Sequence, residues 1–256
     1  MNIIDTHTHL YMKEFKKDID SVINRSINKG VCKFFIPSIS SSTIYDIICL
    51  EKKYPNICFP MIGLHPNYIY STKNLNEELK KIEKWLNNYS FISIGEIGMD
   101  LHMNKKFFSE QKYAFQNQLE LAKDRNLPII IHCRNAFDYV FDILSKREYS
   151  FIKGIFHCFS GTLTQAKKII NIGMKLGIGG IITFKKNNIE QYLNQIDTEN
   201  IVLETDSPYL SPHPFRGKRN DPSNLTIILK KISEIYSISE NTIANITNDN
   251  VNKIFF

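Results

Sequence analysis

Six side chains carry the chemistry available to this sequence: His7, His9, Glu96, His132, His157 and Asp206. Each falls at or beside the end of a short apolar run. Those ends read Asp5-Thr6-His7-Thr8-His9, Gly63-Leu64-His65-Pro66, Gly95-Glu96-Ile97-Gly98-Met99-Asp100, Ile131-His132-Cys133-Arg134, Phe156-His157-Cys158 and Glu204-Thr205-Asp206. Five of the seven histidines stand at such ends. A lone histidine there reads as a hydrogen-bonded structural residue. Several of them, with a Glu and an Asp on the same rim, read as ligands. Side chains at i and i+2 of a strand share a face, so His7 and His9 point one way together. Imidazole plus carboxylate is a borderline-hard donor set that suits Zn²⁺, Mn²⁺, Mg²⁺ or Co²⁺ and is poor for Cu(I) or iron–sulfur clusters. Four imidazoles and two carboxylates exceed one ordinary site, so two divalent cations sharing a carboxylate account for the count. Such pairs, ~3.5–4 Å apart, stabilise both the entering and the leaving oxygen. Alternation turns Cys133 and Cys158 away from the neighbouring rings, toward a helical layer, as small buried residues and not thiolate ligands.

The elements that must position these residues are legible as an alternation. Apolar runs at Asn2–Asp5, Lys33–Pro37, Phe59–Gly63, Phe91–Gly95, Pro128–His132, Lys153–His157, Lys175–Gly180 and Asn200–Glu204 read as eight strands. Helical spacing separates them, at Ile19–Lys29, Leu75–Leu86, Tyr113–Lys123, Ala136–Leu144, Leu163–Ile172, a shorter Ile189–Leu193, Leu225–Tyr236 and Ser239–Phe256. Continuous apolar strands each followed by a helix imply a parallel sheet covered outside. The count favours an α/β fold closed as a (β/α)₈ barrel, whose chemistry sits at the C-terminal strand ends. A chain of 256 residues suits one such domain over residues 1–256.

Composition narrows the class. Apolar residues make up 43% and charged residues 23%, which supports a large core and excludes global disorder. The formal charge of +6 fits either an ordinary basic surface or an anionic substrate such as nucleic acid. Five cysteines, with no CxxC pair, argue against a disulfide framework and for a reducing compartment. The opening MNIIDTHTHL has no signal-peptide pattern, and no run reaches the ~18 apolar residues of a membrane span. The expectation is a cytoplasmic monomer that meets no membrane.

DTHTHL, GLHP, GEIGMD, IIHCR, FHCFSG, LETDSPYL and PFRGKRNDP, in this order and over nearly the whole chain, resemble the successive motifs of the TatD family of metal-dependent hydrolases and deoxyribonucleases. The resemblance implies an amidohydrolase-like barrel. It implies that His7, His9 and Asp206 bind a first metal, that Glu96 bridges, and that His132 and His157 complete a second. His65, Arg134 and Asp100 also match the pattern, near the pocket. No ligand position departs from it. Leu101–Phe108 is the least typical stretch, and it leaves substrate choice open.

The chemistry expected is hydrolysis of an ester by water activated at the metals, with Asp206 orienting that water and taking its proton, and Glu96 as its catalytic companion. Phosphate needs positive groups above the metals, and Arg134 and His65 are placed for this. Arg216, Lys218 and Arg219 follow the eighth strand, where they either neutralise a nucleic-acid backbone or pair within their own loop. Glu204 is either a support for a ligand histidine or a plain buried acid. His65, Arg134, Asp100, Glu204 and Arg216 together form the expected substrate-binding set. Phe107, Phe108, Tyr68 and Tyr70 either stack bases or pack under loops. The leading activity is a 3′-5′ exonuclease-type deoxyribonuclease. The alternative is an esterase acting on another substrate such as D-aminoacyl-tRNA. A non-catalytic nucleic-acid-binding relative would show lost ligands, and none is lost.

Overall fold

A computed structural model describes residues 1–256. Eight parallel strands follow one another in chain order: β1 (Ile3–Asp5), β2 (Val31–Pro37), β3 (Cys58–Met61), β4 (Ile94–Asp100), β5 (Ile129–Arg134), β6 (Gly154–Phe156), β7 (Lys175–Ile178) and β8 (Ile201–Leu203). The helices are α1 (Ile19–Asn28), α2 (Ile44–Lys53), α3 (Thr72–Asn88), α4 (Phe108–Asp124), α5 (Phe137–Leu144), α6 (Leu163–Asn171), α7 (Leu225–Tyr236) and α8 (Glu240–Phe255). The fold is a (β/α)₈ barrel with two seams. Regular pairing runs β1-β2-β3 and β4 through β8, and single bridges, Ile62 with Ile94 and Thr8 with Ser207, link the two runs.

The interior is small and apolar. Ile4, Phe35, Met61, Ile130, Ile155 and Val202 fill it, and Val251 and Ile254 of α8 pack against them from the N-terminal end. Two residues further along β5, β6 and β8, on the same inward face, come His132, His157 and Glu204. The apolar layer is therefore the floor on which the polar layer stands. A much larger apolar shell lies between strands and helices.

Several boundaries differ from the sequence reading. β4 does not stop at Gly95 but runs on to Asp100, buried throughout, because Ile97 to Asp100 pair in register with Ile131 to Arg134. Glu96 therefore sits within a strand, and so does His132. The helix α2 escaped the periodicity reading. The expected helical segment at Ile189–Leu193 is instead a pair of single 3₁₀ turns, Ile189–Gln191 and Leu193–Gln195, so no α-helix separates β7 from β8.

Candidate metal centre

One half of the site is built on the seam between β1 and β8. Asp206 N–H donates to the His7 carbonyl at 2.9 Å, and His9 N–H donates to the Ser207 carbonyl at 2.7 Å. Behind them the fully buried Asp5 carboxylate accepts Thr205 N–H at 2.9 Å and the Thr205 hydroxyl at 2.6 Å. Burial raises the Asp5 carboxyl well above its usual range even against those bonds. Asp5 thus staples the two segments that carry His7, His9 and Asp206. Asp206 has a left-handed backbone, φ 56°, which Asp tolerates better than most residues.

These segments bring three donors to one point, where Glu96 of β4 meets them. His7 Nε2 lies 3.2 Å from His9 Nε2 and 3.3 Å from Glu96 Oε2. His9 Nε2 lies 3.4 Å from Asp206 Oδ1, and His7 Nε2 lies 3.7 Å from the same oxygen. The other Glu96 oxygen, Oε1, gathers a second set. His132 Nδ1 and His157 Nε2 are each 2.9 Å from it, and His65 Nε2 is 3.3 Å away. The two oxygens of one buried carboxylate thus face separate imidazole groups, the geometry a bridging ligand needs. The rings of His7 and His157 stack at 3.9 Å, locking the halves together.

Partners behind the rings fix which nitrogen is offered. Asp100 Oδ2 accepts from His132 Nε2 at 3.0 Å, which turns the Nδ1 edge of the ring toward Glu96. Glu204 Oε1 accepts the Cys158 N–H at 2.5 Å and lies 3.5 Å from His157 Nδ1. Tyr11 Oη sits 3.0 Å from His9 Nδ1. Carboxylates and hydroxyls of this kind orient ligand imidazoles. His65 differs. Its Nδ1 accepts the Asn67 N–H at 3.0 Å, so in the neutral ring Nε2 carries the proton. It therefore points an N–H, not a lone pair, toward Glu96.

Charge follows geometry. Burial opposes ionisation of Glu96, but the imidazoles of His157, His65 and His7 and the hydrogen bond from His132 overcome it and hold the carboxyl well below its usual value. Asp206 is lowered too, against burial, mainly by its bond with His9. Burial and the neighbouring His157 lower His7. The donor set fits divalent cations: buried carboxylates held ionised, and the ring nitrogens of His7 and His9 3.2 Å apart and facing each other. Three-residue groups able to hold an ion are His7–His9–Glu96, His7–His157–Asp206 and His65–Glu96–His132.

The structure brings the six expected ligand residues together, and His65, expected with the substrate, stands beside them with its Nε2 3.3 Å from Glu96 Oε1. Arg134 ends β5 on the rim, exposed, beside a cleft that reaches His157. Asp100 and Glu204, grouped with substrate by the sequence reading, are instead fully buried and turn toward His132 and His157. Arg216, also expected to bind substrate, stacks its guanidinium 3.7 Å over the Phe184 ring on the outer loops. Arg219 is paired at 2.7 Å with Asp18, which stands just before α1 and not in the loop that carries Arg219. Phe107 and Phe108 pack against the core, whereas Tyr70 is exposed. Cys133 packs against the outer apolar shell as expected. Cys158 does not follow the alternation, because its backbone is left-handed at φ 47°. Burial raises its thiol well above the usual value, and the Asp206, Glu204 and Glu96 carboxylates add to this. Asp5 and Tyr11 were missed as supports. Asp5 was in view within DTHTHL, but nothing local revealed its bond to Thr205.

A barrel rim with this donor set defines a metal-dependent hydrolase, and comparison with known proteins agrees. The family described as TatD related DNase matches residues 4–256. The chain belongs to the TatD family. It is 34% identical to an uncharacterized metal-dependent hydrolase, YabD, of Bacillus subtilis, over 99% of this chain and 98% of that one. It is 28% identical to the 3′-5′ ssDNA/RNA exonuclease TatD of Yersinia pseudotuberculosis, over 99% of each. The crystal structure of YjjV, a TatD homologue from Escherichia coli, superposes with a TM-score of 0.91 at 26% identity, covering 99% of this chain and 97% of that one. No helix is long and apolar enough to cross a membrane.

Proposed function

We propose that this chain is a two-metal phosphodiesterase acting on nucleic acid, in the manner of a 3′-5′ exonuclease. The observation that carries this reading is the division of the Glu96 carboxylate: one oxygen faces His7 and His9, the other His132 and His157. His7, His9 and Asp206 would hold one divalent cation, His132 and His157 the other, and Glu96 both. The pair would supply Lewis-acid polarisation of a phosphoryl oxygen and activation of water at neutral pH.

The remaining work falls to the chain itself. Asp206, 8% exposed against 2% for Glu96, is the more accessible of the two ligand carboxylates, and it takes the proton of the attacking water. His65 directs its Nε2 proton toward the same space and donates to a phosphoryl oxygen. Arg134, on the exposed rim, grips a non-bridging oxygen with paired N–H groups. Asp100 and Glu204 position His132 and His157. The relatives named as ssDNA/RNA exonucleases support nucleic acid as the substrate class.

The test is a time course on end-labelled single-stranded DNA and on D-aminoacyl-tRNA, with Mg²⁺, Mn²⁺ or Zn²⁺ and with chelator. Metal-dependent release of mononucleotides from 3′ ends is expected. Loss of the aminoacyl ester with intact nucleic acid would select the esterase reading instead.

A further inference from the structure

Beside the metal centre the loops after β5 and β6 enclose a cleft of ≈ 450 Å³. This lies within the ~300–1,000 Å³ range of pockets that seat small molecules. His157, a proposed ligand, forms one wall, and Arg134 stands on the rim. Phe137, Tyr139 and Phe159 supply aromatic surface, and Ser160 lies at the open edge. A ring ligand could lie on such surface. The cleft also contains Asp138. A carboxylate there is a poor neighbour for a second phosphate and a good acceptor for base N–H groups. Charge thus changes along the cleft, from the cation at Arg134 to the acid at Asp138, over aromatic walls. We infer that this cleft seats one nucleoside flanking the scissile phosphodiester, its base against Phe137 and Phe159 and its phosphate between Arg134 and the metals.

This inference rests on the phosphodiesterase reading, but binding can test it apart from turnover. Stacking of a base on an aromatic side chain is worth ~1–3 kcal/mol, or about 5–150-fold in affinity at 1.4 kcal/mol per factor of ten. Calorimetric titration of the metal-loaded protein with thymidine 5′-monophosphate and with inorganic phosphate should show the nucleotide binding at least fivefold tighter. Ser160→Trp, which fills the open edge, should abolish that preference, and Ser160→Ala should keep it. The ratio of kcat/KM for thymidine 5′-p-nitrophenyl phosphate over bis(p-nitrophenyl) phosphate should fall at least tenfold in Ser160→Trp. Equal affinity for nucleotide and phosphate in the unmodified protein overturns the inference, and needs no variant to fold. A nucleotide preference that Ser160→Trp leaves intact, in a protein with unchanged circular dichroism, also overturns it. A clear nucleotide preference without hydrolysis of either diester would sink the phosphodiesterase reading while leaving the cleft as a nucleotide site.

Discussion

Gly177→Ala probes how the metal ligands are held, at a residue that carries no chemistry. A methyl built on Gly177 meets Glu204 Oε2 at 2.3 Å and His157 Cα at 3.1 Å, where ordinary contact begins at 3.4 Å. The carboxylate must retreat by roughly 1 Å, since a contact that short lies far inside the repulsive wall. Glu204 Oε1 lies 3.5 Å from His157 Nδ1, which closes no hydrogen bond, so the support is an electrostatic contact that a shift of that size weakens. Losing such a support typically costs ~10–100-fold in metal affinity, which corresponds to about 1.4–2.8 kcal/mol. The assay is competition between the protein and a chromogenic chelator for Zn²⁺ or Mn²⁺, alongside circular dichroism to confirm the fold. Glu204→Gln serves as a companion that removes the charge without the clash and should lose affinity to a similar degree. Both variants binding metal like the unmodified protein, with the fold intact, would refute the idea that Glu204 orients His157.

Other consequences are simpler. Asp100→Asn should lower metal affinity ~10–100-fold as well, because it exchanges the charged acceptor behind His132 Nε2 for a neutral, weaker amide oxygen; chelator competition reads this directly. Saturating metal, at 100 times its dissociation constant, should stabilise the fold by about 2.7 kcal/mol, raising Tm by roughly 5–10 °C for a chain of this size; a melting curve unchanged by metal would contradict it. Arg219→Ala removes a paired contact to Asp18 that is one-third exposed, so the loss should be only ~0.2–1 kcal/mol. The Arg219 bond depresses the Asp18 carboxyl below its ordinary 3.8. The stability gap between the two proteins is therefore full above that value and closes as the pH falls through the lower folded value. Denaturant titrations across this acid range check the sign.

The barrel was legible because eight apolar runs, ending in polar or glycine-bearing tips, alternate with segments of mostly helical spacing. The i, i+2 rule put His7 and His9 on one face. It did not show what stands behind His132, so Asp100 was grouped with substrate although it is wholly buried, whereas Glu204 was already open to a supporting role. Alternation holds only while the backbone stays extended, and Cys158 leaves it at φ 47°. The end of β4 was misplaced because Gly95, Glu96 and Gly98 look like a turn, whereas pairing with β5 carries the strand past them. His65 could be placed at a strand end, but its bond to the Asn67 N–H, which decides what its other nitrogen offers, is a matter of geometry alone.

Crystals soaked in Mn²⁺ and measured for anomalous scattering test the central claim most directly. Two peaks ~3.5–4 Å apart, one on each side of the Glu96 carboxylate, are the expected result, with His7 and His9 at one and His132 and His157 at the other. A single peak remote from Glu96, or none at saturating metal, would contradict it.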